Sequence, residues 1–255
     1  MTITDTFDAR NLARLEALLL AHPIAQHYFQ GILYDGEGMP LTELLLDSGT
    51  GRPLLLDGRM IGRLFMIPDG SLVSAARVGE HQGTPAGVDI RYTNVFIAED
   101  EQNSVIVYRS ESGPALWVDA LYVRSIMLAA DAPRRLITVA FGFMAIAAYR
   151  LGFKFINLYG AGRGPLSHVD ADGLVGYAVW PRFGFDTDVL PVELDRFPDP
   201  AVHHAATIQE VRKASPGWWE EHGSGRTMAF DLTPNSRSWS ILLNYLYTAL
   251  QEEAP

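Results

Sequence analysis

The spacing of apolar residues changes twice along this chain, and the changes divide it into three stretches. From Asp5 to Gln30, Leu12, Leu15, Leu19 and Ile24 recur at three- to five-residue intervals, with Arg10, Arg14 and Glu16 between them. That spacing predicts an amphipathic helix, broken or bent at Pro23. From Leu41 to Ala130 the pattern turns strand-like, with candidates at Leu41–Asp47, Met60–Ile67, Val88–Ala98, Ser104–Arg109 and Ala115–Ala129. Asp57-Gly58, Pro68-Asp69-Gly70, Glu99–Asn103 and Ser112-Gly113-Pro114 supply turn signals between them. Val88, Ile90 and Tyr92 alternate with polar neighbours, as in a strand with one face on a core, and the short spacers predict an antiparallel meander. Then the period lengthens again. Asp131-Ala132-Pro133 is a helix-start signal, Leu136–Leu151 is apolar at helical length, and Gly152 is placed to end it. A strand at Phe153–Tyr159, a glycine-rich loop at Gly160–Gly164 and an ordered segment at Gly176–Phe185 follow. Beyond a Pro-rich connector at Asp195–Pro200 come a helix at Ile208–Ala214, a strand at Thr227–Leu232 and a last helix at Ser238–Glu253. Ile241, Leu242, Tyr245, Leu246 and Leu250 form the stripe of that helix, and Asn235-Ser236-Arg237-Ser238 reads as its cap. The strand–helix–strand step makes the fold class α+β. The predicted organisation is an N-terminal helical segment (residues 1–40), a core (41–190) and a C-terminal extension packed on it (191–255).

Composition removes whole classes of chemistry. The 255 residues are 48% hydrophobic and 20% charged, which supports a packed core. With 20 basic against 30 acidic residues the net charge is −10, unsuited to gripping nucleic-acid phosphates. There is no cysteine, so disulfides, thiolate nucleophiles and Cys-based metal centres are excluded. Only Lys154 and Lys213 are lysines, which leaves Schiff-base chemistry little room. The most apolar run, Leu136–Tyr149, is shorter than the roughly 20 residues of a membrane span. Met1–Arg10 is polar and carries no basic lead into an apolar segment. A cytoplasmic protein without membrane or nucleic-acid partners is the expectation.

Two motifs carry a family resemblance. Ala147–Asn157, AAYRLGFKFIN, is a helix-to-strand joint with Gly-Phe at its corner, and Val179–Phe185, VWPRFGF, is an aromatic-x-x-x-Gly-Phe segment. At this spacing they resemble the second half of a GNAT-superfamily acyltransferase, over roughly residues 115–186. The resemblance implies a central mixed, mostly antiparallel sheet flanked by helices. It implies transfer of an acyl group from acyl-CoA or another acyl thioester to an amine or hydroxyl of a small molecule or protein, with no metal. A homodimer is compatible with it.

Residue by residue, the resemblance places the donor's phosphates at the turn Asp131–Leu136. Arg134, Arg135 and Leu136 stand there, without the two glycines usual in the family, and Pro133 lacks an N–H. The two arginines supply charge in this reading; they also read as solvated helix-start residues. Asp119 is the candidate general base by position, mid-strand among apolar neighbours; its alternative is a structural ion pair with Arg91, Arg109 or Arg124. Trp180 occupies the place of the family's acidic Tyr, and an indole N–H is no general acid near neutral pH. Tyr177 and Tyr159 are the nearby substitutes. Arg163, His168 and Asp170, with Trp180, are the substrate-contact candidates. Two rivals stand beside acyl transfer: a catalytically inactive binding or regulatory protein, and a different enzyme on the same scaffold that does not use CoA.

Other constellations have plainer readings. His203-His204 lacks the Asp-Gly continuation of a larger acyl-transfer family and reads as two surface histidines. Asp170-Ala171-Asp172-Gly173 lacks the distal Glu of a calcium loop and reads as a turn. Gly160–Gly164 follows a strand, so it reads either as a phosphate cradle or as a strand-to-loop exit. For Trp218-Trp219, either one ring is exposed at a pocket or interface, or a bent segment buries both.

Overall fold

The structure, a computed structural model, describes residues 6–46, 53–109, 119–167 and 173–251. The chain is α+β and divides into two compact units. The first comprises Met1–Ile156, Leu232–Pro234 and Leu246–Pro255, and the second Asn157–Asp231 and Asn235–Tyr245.

The first unit begins with a π-helical turn, Asp8–Leu12, running into α1 (Ala13–Ala21). His22 is extended, Pro23 takes the first position of α2 (Pro23–Tyr28), and the break expected at Pro23 is observed. A small hairpin follows, β1 (Glu43–Leu46) with β2 (Leu54–Asp57). Next is α3 (Gly58–Leu64), where the sequence pattern had predicted a strand at Met60–Ile67. The Asp57 carboxylate accepts the Met60 N–H at 2.7 Å, so the presumed Asp-Gly turn is a helix cap. Ile61, Leu64 and Phe65 then share one buried face. A short apolar run has no periodicity that separates strand from buried helix.

The meander consists of β3 (Leu72–Val78), β4 (Gly87–Thr93), β5 (Asn103–Tyr108) and β6 (Ala120–Ser125), each antiparallel to the next. β3 was absent from the expected strands, and residues 115–118 of the expected fifth strand lie outside the described residues. Val73, Ile90, Tyr92, Val105, Val107, Leu121 and Val123 are buried and fall on one face by register. Tyr92 donates its hydroxyl to the Met66 carbonyl at 2.8 Å, which satisfies the phenol inside the core.

Helix α4 (Leu136–Arg150) leaves the meander, and β7 (Phe155–Arg163) returns to the sheet. Gly152, at φ +83°, ends α4 as expected, with the Phe153 N–H on the Ala148 carbonyl. The Lys154 N–H donates to the Asp119 carbonyl at 2.8 Å. Asp119 directly precedes β6 and Lys154 directly precedes β7, so the two strands start side by side and run parallel. The Leu232 N–H, just past the end of β8 (Ser224–Asp231), donates to the Lys154 carbonyl at 3.0 Å, which makes β8 antiparallel to β7. The sheet is therefore mixed, in the order β3-β4-β5-β6-β7-β8. None of the helices among the described residues is long and apolar enough to cross a membrane.

In the second unit, α5 (Gly176–Val179) runs into a 3-10 turn, Trp180–Phe183, followed by α6 (Pro191–Arg196), α7 (Ile208–Ala214), α8 (Trp218–His222) and β8. The last helix, α9 (Arg237–Gln251), starts here, with the Ser236 hydroxyl accepting the Trp239 N–H at 3.3 Å as its cap. β7 passes straight through the expected glycine-rich loop. A Cβ on Gly160 would lie 3.1 Å from Met228 Cε, and one on Gly162 would strike the Leu174 carbonyl. These glycines permit close packing of chain on chain, which removes the phosphate-cradle reading. Trp218 and Trp219 are both buried, and their indole N–H groups donate to the carbonyls of Phe197 (3.2 Å) and Tyr177 (2.9 Å).

Gly184 closes the 3-10 turn at φ +98°, and a Cβ there would run into the Ser238 backbone. Gly184→Ala is expected to lower unfolding stability by about 3 kcal/mol, combining left-handed strain with a backbone clash. A reduced urea midpoint at unchanged slope is the measurement that checks it.

Candidate functional site

The sheet face opposite the core of the meander carries the strongest polar arrangement of the first unit. By register Asp89 and Arg91 of β4, Ser104 of β5 and Ser125 of β6 stand on that face. Val105 pairs with Val123 and Ser104 with Ser125, so Arg124 is the extra residue of a β-bulge. A bulge re-aims a side chain. Here the Arg124 guanidinium crosses β5 to reach Asp89 at 3.1 Å. Asp89 is fully buried and also receives Arg91 Nε at 2.7 Å and the Ser104 hydroxyl. A buried carboxylate is tolerable only when so partnered.

The side chains of Arg91 and Arg124 remain 38% and 45% exposed, so each guanidinium is fixed at one edge and presents the remainder outward. They form the floor of a cleft of about 680 Å³. Thr93, Ser104 and Ser125 add hydroxyls, and Asp100, Glu101 and Gln102 of the β4–β5 turn complete the lining. A smaller cavity of about 510 Å³ lies beside Asp195, Asp199, His203 and His204 in the second unit, where both histidines are exposed as expected. Among the described residues no group of three or more His, Asp or Glu side chains is arranged to hold a metal ion.

The residues singled out from sequence fall in both units, Asp119 and Arg134–Leu136 in the first and Tyr159, Arg163, Tyr177 and Trp180 in the second. Asp119 is buried, directly precedes β6, and forms an ion pair with Lys154 at 3.5 Å. Two of the arginines proposed as its partners, Arg91 and Arg124, pair with Asp89 instead. Arg134 is exposed. Arg135 caps α4 from a left-handed conformation, φ +68°. Leu136 is buried, and its N–H donates to the Pro133 carbonyl at 3.1 Å, so that amide is not presented to a ligand.

In the second unit Tyr177 is fully buried and donates its hydroxyl to the Glu220 carbonyl at 2.7 Å. Burial, reinforced by Glu220 and Glu221, pushes its phenol above the ordinary range, away from useful acidity. Tyr159 and Arg163 are exposed on β7, and Trp180 is buried in the aromatic core. His168 and Asp170 lie outside the described residues. Strand alternation marks Asp89 and Ser104 as solvent-facing, whereas both are buried. The available signal was Asp89 and Arg91 at i and i+2, two opposite charges on one strand face. No family model, curated protein or solved structure matches this chain.

Removing the buried carboxylate leaves Arg91 and Arg124 repelling each other across β5. Asp89→Ala is expected to cost about 3 kcal/mol, the low end of the range for breaking a buried pair because both arginines reach water. Asp89→Asn, which keeps shape and hydrogen-bonding capacity, is expected to cost less. Urea denaturation of both variants checks the order.

Proposed function

We propose that the chain is an acyltransferase, moving an acyl group from acyl-CoA or another acyl thioester to an amine or hydroxyl. One observation carries this reading: β6 and β7 run parallel from a common start, joined by a helix entered through a turn with a left-handed Arg135. A turn that bends back in this way is where the GNAT resemblance expects glycine. Arg135 takes the conformation despite a steric penalty of about 1–2 kcal/mol. Arg134 and Arg135 supply two guanidiniums for donor phosphates at this turn.

The transfer itself is direct. The acceptor's nitrogen or oxygen attacks the thioester carbonyl, the C–S bond breaks, and the thiol departs with the proton the acceptor loses. With Asp119 paired to Lys154, a bound water relays that proton from the acceptor to the departing thiolate in this reading. The chain's −10 charge favours a neutral or cationic acceptor over an acidic one.

A second reading, an inactive binding or regulatory protein, is favoured by the engagement of Asp119 and Tyr177 in structural contacts. The two readings part experimentally. Acetyl-CoA, longer acyl-CoA or free CoA is expected to raise thermal stability, by about 2.7 kcal/mol at a hundredfold excess over its dissociation constant. Arg134→Ala combined with Arg135→Ala is expected to reduce the gain. No gain with any of the three at millimolar concentration overturns acyl transfer from CoA. A gain without release of free thiol in the presence of mixed amines and alcohols favours the inactive protein.

A further inference from the structure

We propose that the cleft over β4, β5 and β6 binds a free α-amino acid, through its carboxylate and its ammonium group together. The proposal is independent of acyl transfer, since it uses neither the turn before α4 nor the crossover.

The floor is cationic and pre-set. Asp89 is fully buried and holds Arg91 by Nε and Arg124 by one terminal nitrogen. Each guanidinium has five N–H donors in a rigid fork, so most of them remain to meet a ligand oxygen. The bulge at Arg124 places both forks over the same carboxylate, and the Ser104 hydroxyl ties the third strand to it. Asp89 neutralises one of the two positive charges, which leaves a net charge of +1 on the floor. That suits a single carboxylate better than a phosphate dianion.

The rim carries the opposite sign. Asp100 and Glu101 line the same cleft and are exposed, on the turn between β4 and β5. A plain anion would share the cleft with two carboxylates. A plain cation would share it with two arginines. Only a ligand carrying both signs a few bonds apart gains at both walls. A free α-amino acid is the compact molecule with that charge layout, and the cleft volume of about 680 Å³ leaves room for its side chain.

The test is titration of the whole chain, at low ionic strength, with L-serine, L-glutamine and L-phenylalanine, followed by NMR or calorimetry. Each is compared with its N-acetyl form, which lacks the ammonium, and its amide, which lacks the carboxylate. At least one free amino acid is expected to bind with a dissociation constant below about 10 mM, and both blocked forms about tenfold more weakly. Arg124→Ala is expected to abolish binding. Because that variant also exposes Asp89 to a lost partner, a second one leaves the buried cluster intact. Asp100→Asn with Glu101→Gln alters only exposed positions, and asparagine accepts the left-handed backbone found at Asp100 (φ +63°). It is expected to bring the N-acetyl form within about twofold of the free amino acid. Absence of binding by all three amino acids up to about 10 mM overturns the proposal. So does equal binding of free and N-acetyl forms by the unmodified chain, which would mark a plain anion site.

Discussion

Helix α4 has no polar side to offer water, and the first unit is arranged around that constraint. Twelve of its fifteen residues are buried, from Leu136 to Tyr149. A helix apolar all round has to be covered on every side. Helices α1, α2 and α3 all pack against it. Phe29 meets Phe143 with ring centroids 5.7 Å apart, and Phe7 meets Tyr149 at 5.4 Å. Gly142 lets the helix come close to Leu19 and Leu246, since an added Cβ would lie 2.9 Å from Leu19 Cδ1. Each large side chain buried this way contributes roughly 1.5–3 kcal/mol. Its one charged end is fastened as well: Arg150 bonds Asp8 at 2.9 Å and Glu16 at 2.6 Å, which ties the N-terminal turn to the last turn of α4.

The same constraint orients the sheet. One face of the meander joins the core and is apolar, from Val73 to Val123. The other face is then free to carry charge, and there Asp89 is buried beneath two arginines and a serine. The two faces of β4 thus hold opposite solutions to burial. Ile90 and Tyr92 are covered by apolar contact and one phenol hydrogen bond. Asp89 is covered by ions of the other sign. The second solution contributes little net stability, because desolvation offsets the attraction. Its physical consequence is positional: it fixes two guanidiniums that would otherwise sample many rotamers.

Much of this fold was legible from periodicity. Helix α4 with its Gly152 stop, helix α7 at Ile208–Ala214, β4 and β5 follow directly from residue spacing. What was illegible has one common cause, namely that the deciding contact is distant in sequence. Met60–Ile67 matches strand and helix alike, and only the Asp57 cap and the buried face separate them. Gly160 and Gly162 look like a loop because what requires them, Met228 and Leu174, is elsewhere in the chain. Asp89 looks solvated because its partner Arg124 arrives through a bulge from 35 residues away. The candidate site inherits that difficulty. Its arginines were noticed as partners for a carboxylate, but Asp119 was the wrong carboxylate.

The segment Val179–Phe185 is organised for packing rather than for proton transfer. The segment W-P-R-F-G-F is held by Gln209, whose side-chain amide donates to the Pro181 and Phe185 carbonyls at 2.7 Å each, and by Arg212, which donates to Pro181 at 2.8 Å. Trp180, Phe185, Phe230 and Trp239 follow one another edge to face, with centroids 5.4–5.7 Å apart. Such pairs favour a rigid aromatic core. A Tyr at the place of Trp180 would need a partner for its hydroxyl, whereas an indole fills the space with one donor. Tyr177, the nearest phenol, already has its partner in the Glu220 carbonyl, and burial holds its proton on. Every aromatic of this motif therefore works for stability. Proton transfer by Tyr177 would require breaking a buried hydrogen bond that costs about 1–3 kcal/mol to leave unmade. Charged groups held in place yet reaching water are found on the sheet instead, where Arg91 and Arg124 stand over Asp89.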